Sequence, residues 1–273
     1  MGSEFYGFFK ETPQLFPFNH KELDITRLDT LMTTFEKIKP NLVLNCTAYS
    51  GVDKAEEERD ECYLVNSLGV RNVAYASFLT GSRVVYFSTD YVFDGRKNEP
   101  YREYDEPNPL SIYGWSKLLG EQYTSTYNPD HLIIRTSWLY GIQGKNFIKT
   151  VLNNYKNGRH LEIVDDQYGC PTYTRDLVQQ TVSLLKNNEV GLFHAVNSGV
   201  TNWYQLAVKV LEILEIKVDI KPIKTEDFPA RAKRPPYSAL ENYHLNLKNL
   251  NLMRDWQIAL KDFLLTNRKV LIK

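Results

Sequence analysis

Four short apolar runs rich in β-branched residues recur along the chain and constrain its fold more than any other feature. Each run is bounded by polar residues or glycine and has the length of a strand that is buried on both faces. The runs are "NLVLNCT" (41–47), "RVVYFST" (83–89), "HLIIRTS" (131–137) and "GLFHAVN" (191–197). Longer segments with helical spacing lie between or after them, at about 53–80, 112–127, 172–187 and 202–214. Strands that alternate with helices predict crossover connections, a parallel sheet and helices on both of its faces.

The segment "DITRLDTLMTTFEKIK" (24–39) has its own helix signals. Thr26 and Asp29 have the spacing of a capping box, and apolar residues recur on one face of the predicted helix. Pro40 cannot continue a helix, so we expect the helix to end before it.

The last third of the chain changes character. "FPARAKRPPYSAL" (228–240) contains three prolines and three basic residues, and "VDIKPI" (218–223) is a strand candidate. Proline removes a backbone donor and fixes φ, so 228–240 cannot form a continuous helix or a central strand. We predict a loop that reaches over a site.

Composition limits the class of partner. The 273 residues include 33 basic and 33 acidic side chains, so no net charge favours nucleic acid or a membrane surface. Cys46, Cys62 and Cys170 are far apart and lack metal-ligand spacing, which favours a reducing compartment and no metal site. No apolar run is long enough to cross a membrane. We therefore expect a cytoplasmic protein whose partner is a small molecule.

Polar side chains at one strand end are the first candidates for chemistry, because open parallel sheets bind ligands beyond the carboxyl ends of their strands. Ser88, Thr89 and Asp90 end the second run, and Tyr113 and Lys117 follow with a helical spacing of four. A nearby ammonium favours phenolate and would lower the pKa of a tyrosine. The spacing alone is weak, since about one Tyr-x-x-x-Lys match is expected by chance and a second occurs at residues 6 and 10.

Six motifs occur in the order found in a known family: "STDYVFDG", "YREYDEPNPLSIYGWSKLLGE", "IIRTSWLYG", "NF", "DDQYGCPTYTRDL" and "RPPYS". From about residue 15 onward the chain resembles the extended short-chain dehydrogenase/reductase family, in particular its dTDP-4-dehydrorhamnose reductases. The resemblance implies reduction, by NADPH or NADH, of the 4-keto group of dTDP-6-deoxy-L-lyxo-4-hexulose to give dTDP-L-rhamnose. It also implies an α/β fold with a Rossmann-like, doubly wound parallel sheet and a small C-terminal substrate-binding lobe.

The resemblance assigns roles to residues and to two parts of the chain. Residues 1–145 would bind the cofactor, and 146–273 would add late sheet strands and the substrate-binding lobe. Thr89, Tyr113 and Lys117 would be catalytic, with Tyr113 the proton donor. The other implied site residues are Asp90, Tyr91, Trp138 and Arg234 for substrate, and Gly2, Asp24, Ile25, Asn45, Thr47, Ala48 and Tyr49, with Tyr113 and Lys117, for cofactor. A homodimer is compatible with the resemblance.

Several of these assignments have structural alternatives. Trp138 ends an apolar strand and could be core packing, and Arg234 could be a surface salt-bridge partner. Asp24 could instead cap the following helix. Asn66 matches a family position that supports the active site, although an Asn within a helix could also face solvent.

The opening "MGSEFYGFF" raises a further expectation. Aligned on "KELDIT", Gly2 matches the third glycine of a G-x-x-G-x-x-G turn, so roughly ten residues of strand and loop that usually precede it are missing. An alternative is that "GSEF" was left by cloning. On both interpretations the first strand is lost, and we expect cofactor affinity to be impaired. The functional alternatives are a non-catalytic or regulatory member of the fold and a nucleotide-sugar epimerase or dehydratase.

Overall fold

The computed structural model describes residues 1–12 and 14–272. Its strands are β1 (Leu42–Asn45), β2 (Arg83–Thr89), β3 (His131–Thr136), β4 (Leu139–Tyr140), β5 (Leu161–Val164), β6 (Tyr168–Gly169), β7 (Thr172–Tyr173), β8 (Gly191–His194), β9 (Thr201–Asn202) and β10 (Ile220–Ile223). Its α-helices are α1 (Gly2–Phe9), α2 (Leu28–Ile38), α3 (Val52–Ala55), α4 (Arg59–Tyr63), α5 (Val70–Leu79), α6 (Ile112–Tyr127), α7 (Phe147–Lys156), α8 (Thr174–Lys186), α9 (Trp203–Ile213), α10 (Tyr243–Leu247), α11 (Trp256–Thr266) and α12 (Arg268–Ile272).

The four predicted apolar runs form one parallel sheet with the strand order β1-β2-β3-β8. The second run is a strand over its whole predicted length, 83–89, and all but the first of its residues are buried. Three residues of β1 are only half-buried, because this strand lies at the edge of the sheet. The parallel sheet predicted from the sequence is therefore confirmed.

Side chains alternate between two apolar layers across the sheet. Phe87 and Ile134 point toward α8 and toward α1, whose Phe5 ring lies 5.5 Å from that of Phe87. On the opposite face, Tyr86 and Ile133 pack against Val70 of α5. Helices cover both faces, which confirms the predicted doubly wound α/β fold.

The helix predicted at 53–80 is instead four short pieces: α3, α4, a π-helical turn over Leu64–Gly69, and α5. The predicted capping box is also wrong. Arg27 is the N-cap residue of α2 and makes no side-chain cap bond, while the Thr26 hydroxyl donates to Asp24 at 2.8 Å. A local side-chain bond of this kind competes with helix capping. As expected, α2 ends before Pro40.

The chain after residue 146 contributes to two places in the fold. β8 and α8 extend the central sheet and its covering layer, whereas β5 pairs with β10 beside α7 and α9. Residues 228–240 contain no helix and no strand, as predicted. Among the described residues no helix is long and apolar enough to cross a membrane. The division into 1–145 and 146–273 stays a prediction.

Candidate active site

Helix α6 approaches the end of β2 closely enough to bring Tyr113 beside Thr89. The Ser111 side chain caps α6 by accepting from the Gly114 backbone N–H at 3.2 Å. A Cβ atom at Gly114 would clash with the carbonyl oxygen of Tyr91, so the close approach requires glycine there. The rings of Tyr91 and Tyr113 meet edge to face, with their centroids 5.9 Å apart.

Three residues on one face of α6, each four positions apart, hold the last three residues of β2. The Tyr113 hydroxyl lies close enough to Thr89 for that residue to influence its pKa. The Lys117 ammonium donates to the carbonyl oxygen of Phe87 at 2.6 Å. Glu121 accepts a hydrogen bond from the Ser88 hydroxyl. The predicted set Thr89, Tyr113 and Lys117 therefore lies together at the carboxyl end of β2.

The ionisation of Tyr113 differs from the one predicted. Burial raises the pKa of its hydroxyl above the usual value, and the neighbouring Thr89 only partly offsets this. The Lys117 ammonium is not directed at the phenol: it lies 4.2 Å from the centroid of the Tyr86 ring and donates to Phe87. The prediction that Lys117 lowers the pKa of Tyr113 is wrong for this arrangement, because a buried phenolate loses its hydration.

Lys117 is itself strongly perturbed. Its side chain is 2% exposed, and burial lowers the pKa of the ammonium to about 7. The negative charge of Glu121 acts in the opposite direction and raises the pKa. A shift of this size is typical of a functional site.

Asp90 joins the end of β2 to the loop 228–240, which we call the C-terminal loop. Its carboxyl group is buried and accepts hydrogen bonds from the hydroxyls of Ser238, at 2.5 Å, and Thr89, at 3.1 Å. Burial raises the pKa of Asp90 to about 7, although these hydrogen bonds act to lower it. Asp90 therefore lies next to the catalytic candidates, as predicted.

Arg234 lies in the same loop and makes a two-pronged ion pair with Asp53. The distances are 2.6 Å from Nη2 to Oδ2 and 3.1 Å from Nη1 to Oδ1. Asp53 also accepts from the backbone N–H groups of Arg231 and Ala232. Tyr91 lies near the Arg234 guanidinium as well. The loop 228–240 thus reaches over the carboxyl end of the sheet. Arg234 forms a salt bridge, which was the structural alternative to a role in substrate binding.

The Trp138 indole is held between two other groups. It stacks on Trp203, with centroids 3.5 Å apart and ring planes 7° apart. Its other side lies against Gly169, where an added Cβ atom would come within 2.5 Å of the indole. Trp138 also lines a cavity of about 70 Å³ with residues of α7 and α9. This geometry favours the packing alternative, and contact with substrate stays a prediction.

The loop after β1 contains most of the predicted cofactor residues. Asn45 is buried, and its Oδ1 accepts from the Thr47 backbone N–H at 3.1 Å. Asn66 is fully buried, exchanges two hydrogen bonds with the backbone of Tyr49 and donates to Ser116 of α6. Asn66 therefore does not face solvent. Ala48 is exposed between these anchored residues.

The remaining predicted cofactor residues lie around this loop and on the preceding segment. Gly2 begins α1, and a Cβ there would lie 3.6 Å from the Cβ of Cys46. Asp24 accepts from the backbone and hydroxyl of Thr26, which lowers its pKa, and does not cap α2. Ile25 is buried against Gly69.

Sequence reasoning missed Glu121 and Asp53. Glu121 lies one helical turn beyond Lys117, so its spacing was a usable signal. Asp53 is 181 positions from its partner Arg234, and no local pattern indicates that pair. Within the described part of the chain, no group of three or more His, Cys, Asp or Glu side chains is placed to hold a metal ion.

Comparison with known proteins places the chain in a family. Residues 1–268 match the family described as the RmlD substrate binding domain. The chain is 37% identical to a dTDP-4-dehydrorhamnose reductase of Aggregatibacter actinomycetemcomitans, covering 88% of this chain and 86% of the relative. It is 36% identical to the spore coat polysaccharide biosynthesis protein SpsK of Bacillus subtilis, with coverages of 89% and 86%.

Solved structures agree with this result. A dTDP-4-dehydrorhamnose reductase of Clostridium acetobutylicum matches with a TM-score of 0.95 and 40% identity, covering 98% of this chain and 95% of that one. The reductase of Bacillus anthracis, in complex with NADP, matches with a TM-score of 0.92 and 40% identity, covering 94% and 92%. The family membership predicted from the motifs is confirmed: this chain belongs to the RmlD substrate binding domain family.

Proposed function

We propose that this chain reduces the 4-keto group of dTDP-4-dehydro-6-deoxy-L-mannose (dTDP-6-deoxy-L-lyxo-4-hexulose), with NADPH or NADH, to give dTDP-L-rhamnose. One observation carries the proposal: Thr89, Tyr113 and Lys117 converge at the carboxyl end of β2, in a chain whose relatives include several dTDP-4-dehydrorhamnose reductases. The reaction belongs to nucleotide-sugar and polysaccharide biosynthesis.

The loop after β1 fits a dinucleotide cofactor. The Nδ2 of Asn45 is buried and has no hydrogen-bond partner within the described residues, so it can donate to a ligand. We propose that Asn45, Thr47, Ala48 and Tyr49 hold the cofactor, together with Gly2, Asp24, Ile25, Tyr113 and Lys117. When bound, reduced nicotinamide supplies the hydride that is added to the carbonyl carbon.

In the proposed mechanism, Tyr113 supplies the proton. Because burial raises the pKa of its hydroxyl, Tyr113 remains protonated at neutral pH and holds the proton that the substrate oxygen needs. Thr89 lies beside this hydroxyl and shares the carbonyl oxygen with it. In the structure the Lys117 ammonium donates to the carbonyl oxygen of Phe87. If it turned toward the phenol, it would offset the negative charge that develops on Tyr113.

The substrate side of the site is formed by the 3-10 turn after β2 and by the C-terminal loop. Asp90 and Tyr91 would contact the sugar, and Trp138 would present the edge of its indole. Arg234 offers a guanidinium, which suits phosphate oxygens because it can donate two parallel hydrogen bonds. In the structure this guanidinium donates to Asp53, so Arg234 would exchange the Asp53 carboxylate for the phosphate oxygens when substrate binds.

The test is a turnover assay with dTDP-4-dehydro-6-deoxy-L-mannose and NADPH or NADH. We expect consumption of the reduced cofactor and formation of dTDP-L-rhamnose, and we expect Tyr113→Phe to slow both strongly. Tyr6→Phe is the matched control, since this exposed tyrosine has the same spacing to a lysine. Epimerisation of a nucleotide sugar without net reduction would favour an epimerase, and cofactor binding without turnover would favour a non-catalytic role.

Four finer expectations belong to the same proposal. The proposed dimer is tested by sedimentation, the cytoplasmic location by fractionation, and the division at 145/146 by limited proteolysis. Weak cofactor affinity is expected because β1 lies at the sheet edge and offers one short loop to the cofactor. A fluorescence titration with NADPH tests it, and affinity equal to that of the Bacillus anthracis reductase would contradict it.

A further inference from the structure

A buried ion pair lies directly behind the candidate catalytic residues. Arg135 of β3 donates to Glu121 of α6 through Nη2 at 2.7 Å and Nε at 2.9 Å. The two side chains are 3% and 7% exposed. Two charges removed from water cost free energy, and an apolar pair of similar size often serves stability equally well. The charges therefore call for an explanation other than stability.

Glu121 also fixes the end of β2. Its Oε1 accepts from the hydroxyl of Ser88, which is paired with Arg135 across the sheet. Ser88 immediately precedes Thr89. The carboxylate thus links α6, β2 and β3 at the point where β2 presents its catalytic hydroxyl.

Glu121 is the charged group that favours the ammonium form of Lys117. Glu121 lies one helical turn beyond Lys117 on the same face of α6, and both side chains are buried. The other titratable groups that act on the ammonium are the thiols of Cys62, in α4, and Cys46, after β1. Burial raises the pKa of both thiols, so both are neutral near pH 7. The aromatic ring of Tyr86 and the carbonyl oxygen of Phe87 complete the surroundings of the ammonium.

On its far side, Glu121 faces Arg135 and the hydroxyl of Tyr86. Arg135 in turn lies over the Phe93 ring at 5.1 Å and near His194. Burial lowers the pKa of His194 well below its usual value, so that ring is neutral. Glu121 is therefore the carboxylate that balances both the buried guanidinium of Arg135 and the ammonium of Lys117.

We propose that Glu121 is a positioning residue: held by Arg135, it keeps Lys117 in its charged form and locks Ser88 and Thr89 against α6. The part of this inference that concerns turnover rests on the proposed function. The part that concerns Lys117 does not, because it describes the protein without cofactor or substrate.

The experiment is a pH titration of Lys117 by NMR in protein labelled with an isotope at the lysine side chains. The signal is assigned by its disappearance in Lys117→Met. In Glu121→Gln we expect the titration midpoint of Lys117 to fall by about one pH unit, which is a tenfold change in its protonation equilibrium. In the reductase assay, the alkaline limb of the kcat profile should move to lower pH by the same amount.

Asp176→Asn is the matched control. Asp176 is 3% exposed and pairs with Arg254 at 2.7 and 3.1 Å, so this change also removes a buried carboxylate from an arginine. Asp176 lies on α8, and its side-chain partners are Arg254 and Asn197 rather than residues of α6. Both variants should lose stability, but the Lys117 midpoint should remain unchanged in Asp176→Asn.

If Glu121→Gln does not fold, the double variant Glu121→Gln/Arg135→Met replaces it, because it leaves no unpaired buried charge. A smaller fall in the Lys117 midpoint is expected than in the single variant, because the positive charge of Arg135, 2.7 Å from the Glu121 carboxylate, is removed with it. An unchanged Lys117 midpoint in the variant that folds would overturn the inference. Absence of reductase activity in the unmodified chain would instead refute the proposed function and leave the titration to decide this inference.

Discussion

Asp90 gives the prediction whose magnitude follows most directly from the structure. Burial raises the pKa of its carboxyl group from 3.8 to about 7. The folded protein therefore holds a proton that the unfolded chain has already released, and stability falls as the pH rises between these two values. A difference of about three pH units, at about 1.4 kcal/mol per unit, corresponds to about 4 kcal/mol.

Asn is close to protonated Asp in shape, so Asp90→Asn removes the ionisation and keeps the packing. Its amide can accept from one neighbouring hydroxyl and donate to the other, at a net cost of about 1 kcal/mol. Between about pH 5 and about pH 8, we expect the free energy of unfolding of the variant to rise relative to the unmodified chain by about 3 kcal/mol. Urea unfolding of both proteins at the two pH values measures this difference.

Asp94→Asn is the control for this experiment. Although burial acts to raise the pKa of Asp94, hydrogen bonds from Arg96 and Asn108 outweigh it, and the pKa is lowered. Its ionisation is complete well below pH 5, so its effect on stability should be constant over the tested range. Parallel stability curves for Asp90→Asn and the unmodified chain would refute the reasoning about Asp90.

Three further predictions concern the site and its loop. Tyr113→Phe should lower kcat by about 10²- to 10⁴-fold, as loss of a general acid does, with an unchanged melting temperature; retained turnover would contradict the proposed proton donor. Gly95→Ala places a Cβ within 2.8 Å of the prolines in the C-terminal loop and should lower stability by about 1–3 kcal/mol more than Gly81→Ala, measured by urea unfolding. Both glycines have positive φ, but Gly81 faces open space, so equal losses would show that packing is irrelevant. Asp53→Asn frees Arg234 and should speed tryptic cleavage of the loop, and unchanged cleavage would show that this pair does not hold it.

The local sequence determined the elements that are built from short-range signals. The strand at 83–89 and the helix at 112–127 have the predicted bounds. In the strand, every residue after Arg83 is buried. In the helix, the Ser111 side chain caps the first turn. Such elements depend on their own residues, so the pattern was sufficient. It also identified Thr89, Tyr113 and Lys117, because strand end and helical spacing together fix their proximity.

The tertiary structure decided what each of these side chains contacts. Lys117 donates to Phe87 rather than acting on the phenol, Trp138 stacks on Trp203, and Arg234 pairs with Asp53. These partners are separated by 30, 65 and 181 positions in the chain. Burial decided ionisation as well, since the same folding that brings Asp90, Tyr113 and Lys117 together removes the water that would solvate their charges. The sequence by itself determined which chemical groups meet at the end of β2, whereas their charge states follow from desolvation, which only the packed structure establishes.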